Sequence, residues 1–313
     1  MTLRTRTALA CVALGVALLA GPGCSKAPGR GEPPPGWSEQ IAAWRAEREA
    51  ALQAENGWLT LVALAWLDGD QPLTVGTSAS ADVRLPEGSA PEIVGTFRAV
   101  GGRVEFVAAP GVEATIGGQP VTRAVLHTDA DGEPDVVRVG RVSIYVIDRD
   151  GRLALRIKDP EAPARREFAG LEWYPIDPRW RVPARWEPFD EPRAVTIPTA
   201  VGTESSMTAP GRVVFEIDGR EFSLVAFSEH GGEDGLFIIF RDATSGTTTY
   251  GAGRYLRADP PEDGRTVLDF NRAYNPPCAY TAFATCPYPP PENRLPIPIE
   301  AGEKAYRGGA HAR

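Results

Sequence analysis

The stretch that decides the fold is "VVRVGRVSIYVIDRDGRLALRI", residues Val136 to Ile157. Three short runs rich in β-branched residues, 136–139, 142–147 and 153–157, are separated by a glycine and by the turn sequence "DRDG". The Asp-Gly pair tolerates the positive φ values that tight hairpin turns require, and apolar runs between such turns are typical of strands. The sequence therefore predicts neighbouring antiparallel strands here.

Working outward, similar short segments recur on both sides of this stretch and form two series. They include Val104–Val107, Ala114–Ile116 and Val121–Leu126 in the first series, and Arg212–Ile217, Glu221–Phe227, Leu236–Arg241, Arg254–Arg257 and Thr266–Asn271 in the second. Strands at this spacing are typical of a sandwich or barrel. Ser38 to Glu55 gives the one strong helix signal, with Ser38 as candidate N-cap and apolar residues near helical spacing.

The predicted fold is mainly β: an N-terminal helix followed by two packed antiparallel β subdomains. The expected organisation, given in order along the chain, is a signal peptide (1–23), a flexible tether (24–36), the helix with the first β subdomain (37–160), a Pro-, Arg- and aromatic-rich connection (161–192), the second β subdomain with a Cys/Pro-rich loop (193–305), and a flexible tail (306–313).

The N-terminus has the pattern of an export signal. Arg4 and Arg6 precede an apolar run, 8–20, that is too short to span a bilayer but suits a secretory signal. Cys24 directly after a small residue resembles the lipobox of bacterial lipoproteins, which implies cleavage before Cys24 and its acylation. Ordinary cleavage without a lipid is the alternative. We expect a periplasmic, lipid-anchored protein, with Ser25 favouring the outer membrane.

Composition and motif searches exclude several classes of function. The net charge of −8 argues against a nucleic-acid partner, which would need a basic face. The three histidines, His127, His230 and His311, do not have zinc-site spacing, so no metal is predicted. Nucleophile elbows, phosphate-binding glycine loops and dinucleotide fingerprints are also missing from the sequence. We predict no cofactor and identify no catalytic residue.

Residues 73–91, "LTVGTSASADVRLPEGSAP", and 138–147, "RVGRVSIYVI", weakly resemble a forkhead-associated β-sandwich. That family binds phosphothreonine through an arginine soon after its first glycine and a Ser-x-x-His signature. Here Thr77 follows the glycine, and "APEI" without histidine follows Ser89. The resemblance therefore implies a fold and not phosphopeptide binding.

The C-terminal third carries a second and more specific resemblance. "FRDATSGTTTYGAGRYL" (240–256) and "LDFNRAYNPPCAYTAFATCPYPPPENRLPIPIEAGEK" (268–304), together with "GWLTLVALAWLDGD" (57–70) and "FAGLEWYP" (168–175), resemble domain-of-unknown-function family 1684 of bacteria and archaea. The resemblance covers most of the body of the chain. It implies membership of a family that has no established activity.

Cys278 and Cys286 lie in the long proline-rich loop of this motif. Their separation does not fit a zinc ribbon or a C-x-x-C redox motif. In an oxidising compartment two nearby cysteines usually form a disulfide, which is the interpretation we favour. Two free buried thiols, or a metal-binding or catalytic pair, are the alternatives.

Polar residues surround the same loop and are the candidates for a ligand site. They are Asp242, Tyr250, Arg254, Asp269, Asn271, Arg272, Tyr274, Asn275, Glu292 and Asn293. One interpretation is a scaffold network that holds the loop, and the other is a pocket with the sheet as floor and the loop as rim. The expected function is a lipid-anchored binding or scaffold protein for a small ligand, glycan or envelope protein. The alternative is a hydrolase that uses carboxylates such as Asp242 and Asp269.

Overall fold

The computed structural model describes residues 32–228 and 235–308. The expected signal peptide, Cys24, tether residues 24–31 and tail residues 309–313 lie outside the described residues. The described part is mainly β, with one long N-terminal helix and several sheets whose strand pairs are almost all antiparallel. The predicted fold class is therefore confirmed.

The first half is a two-sheet sandwich. Its elements are α1 (Trp37–Gln53), β1 (Leu61–Trp66), β2 (Leu73–Gly76), β3 (Val83–Arg84), β4 (Gly95–Val100), β5 (Arg103–Ala108), β6 (Ala114–Ile116), β7 (Gln119–Val121), β8 (Arg123–Leu126), β9 (Val137–Val139), β10 (Val142–Arg149) and β11 (Arg152–Lys158). One sheet has the order β1-β11-β10-β9-β6-β7 and the other β3-β2-β4-β5-β8. Ile144 and Leu155 from the first sheet pack in one core with Phe97 and Phe106 from the second.

The stretch Val136 to Ile157 folds into neighbouring antiparallel strands, as predicted. Strands β10 and β11 form an antiparallel hairpin that closes at the pair Arg149 and Arg152. The two residues between them, Asp150 and Gly151, have φ values of 54° and 84°. Two consecutive positive φ values match the twist of the flanking strands, which explains why Asp-Gly lies at this turn.

The second half contains one curved sheet. Its elements are α2 (Pro163–Arg166), β12 (Arg181–Pro198), β13 (Glu204–Ile217), β14 (Arg220–Ser228), β15 (Leu236–Phe240), β16 (Arg254–Ala258) and β17 (Arg265–Asp269). The strand order is β16-β15-β14-β13-β12-β17, and the two outer strands also contact each other. A core that includes Phe215, Phe240 and Phe270 fills the space inside this curvature.

Strand β12 corrects one predicted boundary. It begins at Arg181, whereas the sequence places residues 161–192 in a connection. The prolines hid the strand, but Pro183 still pairs with Val267 of β17, and the register is irregular between Pro188 and Arg193. Proline is tolerated in a sheet at such irregular positions because the ladder hydrogen bond is already interrupted there.

Helix α1 packs differently from its predicted grouping with the first subdomain. Its long-range side-chain hydrogen bonds go to the second half: Trp37 Nε1 donates to Asp269 Oδ2 at 2.6 Å, and Arg45 donates to the Tyr174 and Asn271 carbonyls at 3.0 and 3.3 Å. Side-chain donors therefore dock the helix more than a broad apolar stripe does. Ser38 is not the N-cap, because the helix is preceded by Gly36 with φ 75°. Within the described residues, no helix is long and apolar enough to cross a membrane.

Candidate functional site

The first predicted pair of site residues, Asp242 and Arg254, forms a buried ion pair. Arg254 Nη2 donates to Asp242 Oδ2 at 2.6 Å and to the Ile299 carbonyl at 2.9 Å, and its Nη1 donates to the Ala301 carbonyl. The other oxygen of Asp242 accepts from the backbone N–H of Thr244 at 2.6 Å and from its hydroxyl. Arg254 is 1% exposed. The pair ties β16 to the chain after the long loop.

A second buried cluster is centred on Glu303, which sequence analysis did not select. Its carboxylate accepts from Arg48 Nε at 2.9 Å, from the Asn275 amide at 2.7 Å and from the Tyr280 hydroxyl. Burial, followed by the charge of Glu303, holds the pKa of Tyr280 well above its ordinary value. Burial acts to lower the pKa of Arg48, but Glu303 and Tyr280 together outweigh it and the pKa is raised. This cluster fastens α1 to the loop and the C-terminal segment.

The remaining amide and carboxylate candidates also bond to the protein. Asn271 exchanges hydrogen bonds of 2.9 and 3.0 Å with the backbone of Asp177, and Asp269 accepts from Asn271 and Trp37. The Asn293 side chain accepts from Val225 N–H at 2.7 Å and donates to carbonyls of β14 and β15 at 2.8 and 2.9 Å. Asn293 thus fills the gap where these two strands diverge, since among the described residues they pair only at Phe227 and Phe237.

The two cysteines lie side by side and are free thiols in this structure. Both are buried, and the Cys278 N–H points to Cys286 Sγ at 3.1 Å. A hydrogen bond with Cys286 lowers the pKa of Cys278, whereas burial raises the pKa of Cys286 well above its ordinary value. The Tyr250 hydroxyl donates to the Cys278 carbonyl at 3.2 Å, and burial raises the pKa of Tyr250.

The ten predicted residues therefore do not form one pocket. Most are divided among separate buried clusters inside the second half. Glu292 is exposed and lines a different, smaller surface depression. Only Arg272 and Tyr274 reach a large concave surface, and that surface is the candidate functional site.

The groove, as we call this surface, has a volume of about 1010 Å³ and lies where α1, the first sandwich and the second half meet. This volume is at the upper end of the usual range for small-molecule sites, which prefer such junctions. One helical face of α1 contributes Trp44, Arg48 and Ala51, at the spacing of three and four residues that keeps side chains on one side. Strands β10, β11, β15 and β16 and the loop complete the wall.

Cationic and aromatic side chains dominate the lining of the groove. The cations are Arg48, Arg156, Lys158, Arg257 and Arg272, and the carboxylates are Glu47 and Asp259. Aromatic rings from all three walls join them, namely Trp44, Trp58, Tyr145, Phe237, Tyr255 and Tyr274. Five cations and two carboxylates therefore line the groove, and one of the cations, Arg48, is paired with Glu303. A positive, aromatic-lined groove in a chain of net charge −8 suits an anionic ligand.

Two of these cations have incomplete hydrogen bonding. The Nε atoms of Arg156 and Arg272 are buried without a hydrogen-bond partner among the described residues. Arg156 is only 4% exposed, and its one hydrogen bond there is a 3.4 Å contact from Nη2 to the Thr285 hydroxyl. In residues 32–228 and 235–308, neither side chain has a carboxylate partner.

Sequence analysis missed the groove because its walls come from distant parts of the chain. One local signal was present: Arg156 and Lys158 alternate with Leu155 and Ile157 in a strand, so the cations share one face. Tyr145 lies beside Arg156 in the register of β10 and β11. Within the described part of the chain, no group of histidine, cysteine or carboxylate side chains could hold a metal ion.

Comparison with known proteins places this chain in a family. The family model described as "Protein of unknown function (DUF1684)" matches residues 166–304. A solution NMR structure of an uncharacterized protein from Haloarcula marismortui is 33% identical to this chain, with a TM-score of 0.40. That match covers 47% of this chain and 82% of the archaeal one. None of the curated proteins matches. The chain therefore belongs to the DUF1684 family of proteins of unknown function.

Proposed function

We propose that this protein is an exported, lipid-anchored binding protein that holds a small ligand in the groove. The observation that carries the binding proposal is the groove itself: about 1010 Å³, lined by aromatic rings and by cations, among them Arg156 and Arg272, which have no carboxylate partner in the described residues. Concave sites of this size with a few convergent polar groups are the usual places for small ligands.

The arrangement of carboxylates favours binding over hydrolysis. Asp242 is engaged by Arg254 and Thr244, whereas Asp269 is engaged by Trp37 and Asn271. A hydrolase that used these two groups would need them to converge on one substrate atom. The two carboxylates instead belong to separate clusters, and neither lines the groove.

The location of the protein follows from its leader. The signal pattern before Cys24 supports export and acylation, and the polar segment after it supports a tether to the periplasmic face of the outer membrane. In that oxidising compartment we propose that Cys278 and Cys286 form a disulfide, which the proximity of the two side chains supports. Cys24→Ala should release the protein from membranes, and continued retention would contradict the lipid anchor.

Ligand retention in the groove can be tested with two variants of one helix. Ala51→Trp places a bulky ring in the groove, whereas Ala42→Trp places the same ring on an exposed position of α1, about half a turn away around the helix axis. We expect native mass spectrometry of the purified protein to detect a bound small molecule in the wild type and in Ala42→Trp, but not in Ala51→Trp. An unbound wild type, or equal retention in both variants, contradicts the proposed function.

A further inference from the structure

The outer face of β11 presents two neighbouring cations to the groove. Arg156 and Lys158 are two residues apart, so both side chains point to the same side of the strand. Leu155 and Ile157 point to the opposite side and pack in the sandwich core. The apolar residues thus fix the register that keeps both cations at the wall of the groove.

Arg156 differs in its partners from two other buried arginines, Arg254 of the second half and Arg48 of α1. Arg254 has Asp242 at 2.6 Å, and Arg48 has Glu303 at 2.9 Å. Arg156 is 96% buried but has no carboxylate partner in the described residues, where its one hydrogen bond goes to the Thr285 hydroxyl at 3.4 Å. Its Nε is unpartnered, as is that of Arg254. A buried charge is normally paired because its desolvation is otherwise uncompensated. The described chain supplies no such pair for Arg156.

Lys158 adds a second positive charge beside the first. Its Nζ donates to the Asn56 carbonyl at 2.6 Å, which fixes the ammonium without neutralising it. Burial, and then the charge of Arg156, lower the pKa of Lys158. The two cations therefore repel each other at short range, and an anion between them would relieve that repulsion.

We propose that Arg156 and Lys158 bind the anionic group, a carboxylate or a phosphate, of the ligand held in the groove. The proposal rests on the proposed function and names the chemistry of its ligand. The Arg156 guanidinium lies 5.3 Å from the Trp58 ring, and the Lys158 ammonium lies 5.3 Å from the Tyr145 ring. These rings flank the charged pair, so the anionic group is attached to a flat apolar body that contacts them.

Three small probes separate charge from shape: benzoate, phenyl phosphate and neutral benzamide. Titration calorimetry with the full chain at low salt should show binding of at least one anionic probe and weaker or undetectable binding of benzamide. Preference for benzoate identifies a carboxylate site, and preference for phenyl phosphate identifies a phosphate site. Added salt should weaken the binding of the anionic probe, because it screens the attraction between the probe and the two cations.

Charge-removing variants locate the anion. Arg156→Gln and Lys158→Gln should each lower the affinity for the anionic probe, with Arg156→Gln losing at least about tenfold because a hydrogen bond to a charged group is lost. Arg152→Gln is the matched control, since Arg152 lies in the same strand but pairs with exposed Asp68. Circular dichroism shows whether each variant is folded. If Arg156→Gln is not folded, the affinity of Lys158→Gln for the anionic probe decides the test.

The possible results separate this inference from the proposed function. Equal binding of benzamide and the anions, unchanged affinity in both charge variants, or binding of neither anion by the wild type overturns the inference. A co-purified molecule lost only in Ala51→Trp would still support the groove as a binding site in each of those cases. Anion binding that Arg156→Gln abolishes but Ala51→Trp leaves intact supports the charged pair and contradicts the groove.

Discussion

Two buried arginines, Arg254 and Arg156, show how a scaffold differs from a site in this molecule. Arg254 is held by Asp242 and by backbone carbonyls, so its terminal nitrogens are saturated by protein groups. Arg156 is nearly as buried, but in the described part of the chain its only hydrogen bond is to the Thr285 hydroxyl, and it faces the groove. The density of polar residues around the loop marks structural fastening. The shortage of protein partners around Arg156 is the reason we propose a ligand site there.

The largest expected effect comes from breaking the saturated pair. Asp242→Ala leaves Arg254 as an uncompensated buried cation and should lower the free energy of unfolding by about 4 kcal/mol. Urea unfolding followed by circular dichroism measures this. Asp68→Ala removes the partner of exposed Arg152 and should change stability little. Similar small losses in the two variants would mean that Asp242 is not a structural anchor.

A somewhat smaller loss is expected at Asn293, which the sequence proposed as a ligand-site candidate. Asn293→Ala removes hydrogen bonds of 2.7, 2.8 and 2.9 Å to β14 and β15 and leaves buried backbone groups unpaired. The free energy of unfolding should fall by about 3 kcal/mol. The affinity of the groove for benzoate or phenyl phosphate should not change, as in the exposed neighbour control Glu292→Ala. Lost affinity with unchanged stability would move the site to this loop.

The next largest effect on stability is expected from the cysteine pair, because a disulfide restricts the conformations of the unfolded chain. By the loop-entropy estimate, a disulfide between Cys278 and Cys286 stabilises the exported protein by about 2.5 kcal/mol, so a reductant should lower its free energy of unfolding by that amount. The same reductant should leave the double variant Cys278→Ala, Cys286→Ala unaffected. Thiol labelling without reductant gives an independent check, because a reactive Cys278 in the exported protein would exclude the disulfide.

The smallest predicted effect is a pH dependence of ligand binding. Lys158 is charged below its pKa, and burial together with Arg156 lowers that pKa from its ordinary value of 10.5. Affinity for the anionic probe should therefore be full at neutral pH and fall about threefold as pH rises through the lowered pKa. Lys158→Gln should show no such decline. A decline that persists unchanged in that variant would contradict the assignment to Lys158.

Local signals predicted the fold well where the chain itself sets the geometry. The Asp-Gly pairs at 150–151 and 218–219 both have the positive φ values that their hairpins need, so the strands on either side followed from sequence. Strand β12 was harder to see, because its prolines read as a connection while its partners β13 and β17 are distant in sequence. The docking of α1 on the second half was not predictable either, because arginines that donate to backbone carbonyls leave no periodic pattern in the sequence.

The candidate site was likewise predictable from the sequence only in part. The sequence pointed to Asp242 and Arg254 because polar residues are frequent around the loop. A sequence does not show whether the protein itself satisfies the hydrogen bonds of such a pair or leaves them available to a ligand. Arg272 was named for its place in the loop motif, and the structure brings it to the groove. Arg156 was passed over because its significance depends on groups that are missing around it, which only tertiary structure shows.

One measurement tests the central distinction most directly: the free energy of unfolding of Arg254→Met compared with that of Arg156→Met, both free of ligand. Arg254→Met leaves buried Asp242 unpaired, so stability should fall by about 4 kcal/mol. Arg156→Met removes a desolvated charge without a protein partner, so stability should equal or exceed that of the wild type. Comparable destabilisation in the two variants would contradict the account, because Arg156 would then be part of the scaffold.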